Sequence, residues 1–128
     1  MFGLGKASLM AFVASTARPM SSVRHFTSTT ALQETQYLLR YDYIPDVLEK
    51  RGPYREGHLG AAKDLIAEGK CLSGGPTGDV GMEVPTGALF IFTDEASAKL
   101  FVEKDPYVSA GIVTSHSIEE WNVVVQKE

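Results

Sequence analysis

Two residues of this 128-residue chain, His58 and Asp105, are well suited to acid–base chemistry. A carboxylate beside an imidazole fixes the tautomer of the ring and favours its protonated form, and an imidazole titrates near cellular pH. Each residue also has a plain structural alternative. His58 could bond a loop carbonyl, and Asp105 could cap the turn that begins at Pro106.

A second group of residues could hold a substrate. Gly74 and Gly75 would let backbone N–H groups approach a ligand oxygen closely. Arg55 stands one helical turn before His58 and could pair with a carboxylate or another anionic substrate. The simpler alternatives are that the two glycines form a turn and that Arg55 is a solvated helix residue.

The apolar pattern predicts the elements that must position these residues. They are a strand over 36–43, a helix over 53–68, strands over 70–74 and 87–93, a helix capped by Asp94 and stopped at 105–106, and a strand over 112–125. The first helix should bury Leu59, Ala62, Leu65 and Ile66. Residues 75–79 have turn chemistry, and 107–111 should be a connector. The order βαββαβ is the ferredoxin-like pattern of the α+β class.

This topology predicts where the candidate residues meet. Strands one and two run the same way, so His58, the segment 74–76 and Asp105 should reach one rim of the sheet. Two helices would cover one face of the sheet. The other face would keep apolar side chains of 87–93, and we therefore expect a homodimer formed sheet to sheet.

Residues 1–33 differ in composition from the rest. They contain no Asp or Glu, three basic residues and many Ser, Thr and Ala, which is typical of a mitochondrial transit peptide. The alternative is a polar tail that carries no address. The prediction is a matrix protein whose folded domain is residues 34–128, and removing the segment takes the formal charge from -4 to -7.

Several classes of function are disfavoured. An acidic domain repels phosphate backbones, so we expect no nucleic-acid partner. No apolar run reaches the ~20 residues of a membrane span. No nucleotide-binding glycine motif is present, and one cysteine with two histidines beyond residue 33 makes a zinc site improbable. We expect no metal and no cofactor, with Cys71 a small buried hydrophobe, His116 exposed and Trp121 in the core or an interface.

The candidate residues stand in segments that resemble a known family. The segments are Arg55-x-x-His58-Leu59, Gly69 with Leu72-x-Gly74-Gly75-Pro76, Ala96, Asp105-Pro106-Tyr107-Val108-x-Ala110-Gly111, and Trp121. Together they resemble the YCII domain of the YciI-like proteins, over about residues 37–125. The resemblance implies a dimeric α/β-barrel of ferredoxin-like protomers and a His/Asp site on His58 and Asp105.

The matching segments add Pro76 and Tyr107 to Arg55, Gly74 and Gly75, and these five residues form the candidate substrate-binding set. Two hypotheses about function follow. One relative in chlorinated-aromatic breakdown is a dehydrochlorinase, so the resemblance makes acid–base catalysis on a small molecule the first hypothesis. The second is a dimer that binds a small molecule or acts as a scaffold without catalysis.

Overall fold

The computed structural model describes residues 34–128, and the predicted transit peptide lies outside them. Thr35–Asn122 form one compact unit. The elements in chain order are β1 (Glu34–Tyr43), α1 (Val47–Lys50), α2 (Gly52–Ala67), β2 (Cys71–Thr77), β3 (Gly87–Phe92), α3 (Glu95–Lys104), α4 (Pro106–Ser109) and β4 (Val113–Val123). Within these residues no helix has the length and apolar character needed to cross a membrane.

The four strands form one sheet in the order β2-β3-β1-β4. β1 and β2 both pair antiparallel with β3, so they run in the same direction and α2 is the crossover between them. Side-chain bonds from Thr35 to Asn122 and from Arg40 to Glu119 make β4 antiparallel to β1. The ferredoxin-like α+β fold predicted from the sequence is therefore confirmed.

The core lies between the sheet and the two longer helices. Alternation along β1 places Leu39 and Tyr41 on the side that faces the helices. They pack against a cluster contributed by three other elements: Ala88, Phe90 and Phe92 of β3, Ala98 and Phe101 of α3, and Ala62 and Leu65 of α2. Burial of a large apolar side chain contributes ~1.5–3 kcal/mol, so this cluster fixes both helices on the sheet.

The opposite face of the sheet carries apolar side chains that the helices do not cover. Leu38 pairs with Ile91, and Leu89 stands beside Arg40. All three apolar side chains are half-buried. Trp121 shares this face with Glu119, two residues before it, and is 40% exposed. The alternative that Trp121 lies in the protomer core is therefore wrong.

The second strand is longer than predicted and includes the Gly-Gly-Pro segment. Gly75 and Pro76 pair with Leu89 and Ala88 instead of forming a turn, and the register shifts between Cys71 and Ser73. A proline is compatible with this position because β2 is an edge strand of the sheet formed by residues 34–128, where no strand lies on its outer side to receive an N–H.

The buried side of α2 is rotated relative to the prediction. Leu59 and Ile66 are 36% and 49% exposed, whereas His58 is buried with Ala62 and Leu65. Leu59 and Ile66 are more apolar than His58 and were therefore expected in the core. The contacts of His58 instead decide which side of α2 faces the core. The predicted connector 107–111 also begins as a helical turn, α4.

Candidate functional site

The two residues of the predicted acid–base pair are in direct contact. His58 Nδ1 lies 2.8 Å from Asp105 Oδ1, and the two residues are only 4% and 1% exposed. Because a carboxylate only accepts hydrogen bonds, this contact assigns a ring proton to Nδ1. Nε2 makes no hydrogen bond to any residue from 34 to 128, so its lone pair is free in the neutral ring.

Asp105 is fixed by two donors besides the histidine. Its Oδ1 also accepts the backbone N–H of Tyr107 at 3.0 Å, and its Oδ2 accepts the hydroxyl of Tyr41 at 2.8 Å. The bond to Tyr107 is the N-cap of α4, whose first residue is Pro106. One carboxylate therefore begins a helix and also holds the imidazole of His58.

The ring of His58 is enclosed by aromatic side chains. It lies parallel to the ring of Tyr107, with centroids 3.8 Å apart and an interplanar angle of 1°. The rings of Phe90 and Phe101 stand at 5.7 Å and 5.8 Å. These contacts restrict rotation of the imidazole and keep its Nδ1 toward Asp105.

A cavity of about 260 Å³ adjoins His58 between α2 and β2. Every residue of the candidate substrate-binding set lines it: Arg55, Gly74, Gly75, Pro76 and Tyr107. An apolar cavity of about 150 Å³ can hold benzene, so this volume suits a molecule with one substituted ring. Asp105 is not part of the wall and reaches the cavity only through His58.

The two glycines of the wall have different surroundings. A Cβ on Gly74 would overlap the ring of Phe90, whereas a Cβ on Gly75 would meet nothing within 4 Å. Neither residue has a positive φ. Gly74 is therefore explained by the packing of Phe90, and neither glycine is needed for a turn.

The site includes residues that the sequence analysis did not assign to it. Tyr41 anchors Asp105, and alternation along β1 already put it on the helix-facing side. Arg51 and Lys63 also line the cavity. Arg51 stands four residues before Arg55 and Lys63 eight residues after it, and this spacing places all three on one side of α2. Cys71 also lines the cavity and is buried, as predicted.

Burial governs the charge state of the nearby tyrosines and cysteine. Burial and then the charge of Asp105 raise the pKa of Tyr41 far above its usual value, so its hydroxyl remains a donor. Burial also raises the pKa of Tyr43, an effect that Arg51 and Arg55 partly oppose. Burial raises the pKa of the Cys71 thiol.

Within residues 34–128 no three His, Cys, Asp or Glu side chains are grouped as metal ligands.

A buried His–Asp pair whose histidine lies in the wall of a cavity, on a ferredoxin-like protomer, defines a class of small α+β protein with a candidate acid–base site. The model of the YCII-related domain matches residues 35–122. The chain therefore belongs to the YCII-related family, as the resemblance of its segments predicted.

Relatives of known sequence or structure agree with this assignment. An uncharacterised protein of Haemophilus influenzae is 37% identical over 83 residues, which are 59% of this chain and 85% of that protein. Protein YciI of Escherichia coli is 34% identical over 86 residues, 62% of this chain and 88% of YciI. A solved structure of 5-chloro-2-hydroxyhydroquinone dehydrochlorinase from Burkholderia phenoliruptrix, in complex with 2,5-dihydroxybenzoquinone, is 29% identical. The match has a TM-score of 0.57 and covers 67% of this chain and 92% of that one.

Proposed function

We propose that this protein is an enzyme that moves a proton on a small cyclic substrate bound beside His58. The observation that carries the proposal is the 2.8 Å contact of His58 Nδ1 with Asp105, at the wall of a cavity of about 260 Å³. Asp105 would orient the ring, and Nε2 would take the proton from the substrate. The carboxylate then stabilises the imidazolium that forms.

The reaction class we favour is an elimination that begins with removal of a proton. The dehydrochlorinase relative supports this choice because it is 29% identical and has a ring compound bound. In such a reaction a proton leaves a carbon next to a ring carbonyl, the C–H electron pair forms a C=C bond, and the carbonyl π pair moves onto the oxygen to give an enolate. The carbonyl then reforms, and the C=C pair of the enolate forms the new double bond as the leaving group departs with its own pair. Arg55 and the backbone of Gly75 would stabilise the oxygen on which negative charge develops.

A two-stage experiment tests the catalytic role. Small ring compounds, including 5-chloro-2-hydroxyhydroquinone, are screened for thermal stabilisation, since a ligand at 100-fold its Kd stabilises by ~2.7 kcal/mol. Those that bind are then assayed for conversion. We expect His58→Gln to slow conversion by ~10²-fold or more, because a general base contributes about that factor. His116→Gln, a change at an exposed histidine, should leave the rate unchanged.

Two outcomes would contradict the catalytic role. One is conversion at an unchanged rate by His58→Gln. The other is a set of compounds that bind in the cavity but are not converted by the wild-type protein. That second result would favour the alternative of a non-catalytic small-molecule-binding protein.

We propose a homodimer that covers the outer face of the sheet. Leu38, Leu89 and Ile91 are half-buried there, and Trp121 is 40% exposed. Ile91→Lys should then convert the dimer to a monomer in light-scattering measurements. Leu100→Lys, at a 37% exposed leucine of α3, should leave the dimer intact. A monomeric wild-type protein would contradict the proposal.

We also propose that residues 1–33 direct the protein to the mitochondrial matrix and are removed there. The support is their lack of acidic residues and their content of Ser, Thr and basic residues. N-terminal sequencing of the protein isolated from mitochondria should find a start close to residue 34. An intact Met1 would exclude cleavage.

A further inference from the structure

The wall of the cavity concentrates positive charge. Arg51, Arg55 and Lys63 line it, and no Asp or Glu of the described part of the chain does so. The surrounding domain, residues 34–128, carries nine Lys and Arg against sixteen Asp and Glu. The wall of the cavity therefore has a positive charge, whereas the domain as a whole has a negative one.

The positions of two of these cations, Arg51 and Arg55, are electrostatically unfavourable with respect to α2. Arg51 is the N-cap residue of α2 and Arg55 lies four residues later, where the positive end of the helix dipole disfavours cations. Like charges at this spacing also repel each other. None of the three forms an ion pair with another described residue. A bound anion would relieve both effects.

An independent observation concerns the hydroxyl of Tyr107. This residue lines the cavity and is 1% exposed, yet its hydroxyl has no hydrogen-bond partner among the described residues. A buried polar atom without a partner is uncommon and unfavourable. An oxygen atom of a bound molecule would satisfy it. The same ring stacks on His58, so that oxygen would lie close to the proposed base.

We infer that the cavity selects a small organic anion, a ring-sized molecule that carries a carboxylate or phenolate oxygen. Arg51, Arg55 and Lys63 supply the countercharge, and Tyr107 supplies a directional hydrogen bond. The apolar side chains of Leu59, Ile66, Ala88 and Phe90 in the same wall fit an apolar body and disfavour a fully hydrated inorganic ion. The inference rests on the proposed function for the use of this cavity, and it names the substrate class.

Benzoate and benzamide are the probes that test the inference. They share a ring and nearly the same shape but differ in charge, and binding to the full-length protein is measured by calorimetry. Benzoate should bind about tenfold more tightly or better, because charge-assisted hydrogen bonds are the stronger ones. Equal affinities, or no binding of either probe, would overturn the inference.

Three variants locate the origin of the preference. Arg51→Gln and Arg55→Gln should each reduce the ratio of benzoate to benzamide affinity several-fold. Lys99→Gln removes the same charge from α3, where Lys99 pairs with Glu95 outside the cavity, and should leave the ratio unchanged. An equal loss in all three variants would mean that only net charge matters, and would overturn the assignment to this wall.

Tyr107→Phe tests the hydroxyl separately. Both probes carry a carbonyl-type oxygen, so this variant should weaken both, and it should weaken benzoate more because a hydrogen bond to a charged oxygen is the stronger one. Affinities equal to those of the wild type would overturn the role of the hydroxyl.

The failure of this inference differs from the failure of the proposed function. His58→Gln should keep the preference for benzoate while conversion of a substrate is lost. Turnover without any preference for the anion would overturn the inference alone. A preference for benzoate with no turnover of any compound would overturn the enzyme proposal alone.

Discussion

The two ends of α3 each present an aspartate, and the two differ in every respect except their capping bond. Asp94 accepts the backbone N–H of Ser97 at 2.7 Å, and Asp105 accepts that of Tyr107 at 3.0 Å. Asp94 is only partly buried, and the donors near its carboxylate, the N–H and hydroxyl of Ser97 and the hydroxyl of Thr93, come from residues beside it in the chain. Asp105 is 1% exposed and bonded to both His58 and Tyr41.

The difference separates a structural role from a functional one. A cap requires neither deep burial nor donors from distant parts of the chain, as Asp94 demonstrates. Burial of a carboxylate costs several kcal/mol, which is recovered only when donors satisfy its oxygens. Asp105 meets that cost through contacts that hold an imidazole at the wall of a cavity. The extra donors are explained by a requirement to position His58 and not by a requirement to begin α4.

The largest expected effect comes from removing each carboxylate in turn. Asp105→Ala should lower the free energy of unfolding by about 3–5 kcal/mol, because three buried donors lose their acceptor. Asp94→Ala should lower it by about 0.5–2 kcal/mol, the usual loss for an N-cap. Urea denaturation measures both values. Equal losses would show that the two aspartates are no more than caps.

A smaller effect is expected when one of the contacts that distinguish Asp105 from Asp94 is removed. Tyr41→Phe removes the hydroxyl bonded to its Oδ2 and leaves the cap to Tyr107 in place. We expect a loss of about 1.5–3 kcal/mol, as for a hydrogen bond to a charged group. Tyr37→Phe is the matched control, since Tyr37 lies on the same face of β1 and is only partly buried. A loss no larger than that of the control would remove Tyr41 from the site.

The smallest effect concerns the charge of Asp94. The N–H of Ser97 lowers the pKa of this carboxylate. A lowered pKa in the folded state means that the charge contributes stability above the ordinary aspartate value of ~3.9, and that this contribution is lost as the pH falls through the folded value. Asparagine is an equally good cap, so the wild type should exceed Asp94→Asn by no more than about 0.5 kcal/mol near neutral pH, after solvent screening. Urea titrations at a series of pH values should show that margin disappear in acid.

Much of the fold and part of the site could be predicted from the sequence. Alternation along β1, the cap at Asp94 and the βαββαβ order were enough for the topology, and the topology brings Asp105 toward His58. Contacts between side chains that are far apart in the sequence were not predictable in the same way. The bond from Tyr41 to Asp105 joins residues 64 positions apart, and the need for glycine at 74 arises only from where the ring of Phe90 packs.

The phase of α2 is the clearest limit of sequence reasoning. Leucine and isoleucine at 59 and 66 are the more apolar choices for the core, yet His58 is the residue that turns inward. Its burial is favourable only because Asp105 and the ring of Tyr107 meet it there. Hydrophobic periodicity cannot contain this information, since the partners come from a distant part of the chain.

The most direct test of the account is the tautomer of His58, measured by long-range ¹H–¹⁵N NMR on the full-length protein through a pH titration. In the neutral ring, Nδ1 should carry the proton and Nε2 should be unprotonated, and Asp105→Asn should shift that preference. A neutral His58 that carries its proton on Nε2 would contradict the account, because the nitrogen assigned to the substrate would then be unable to act as a base.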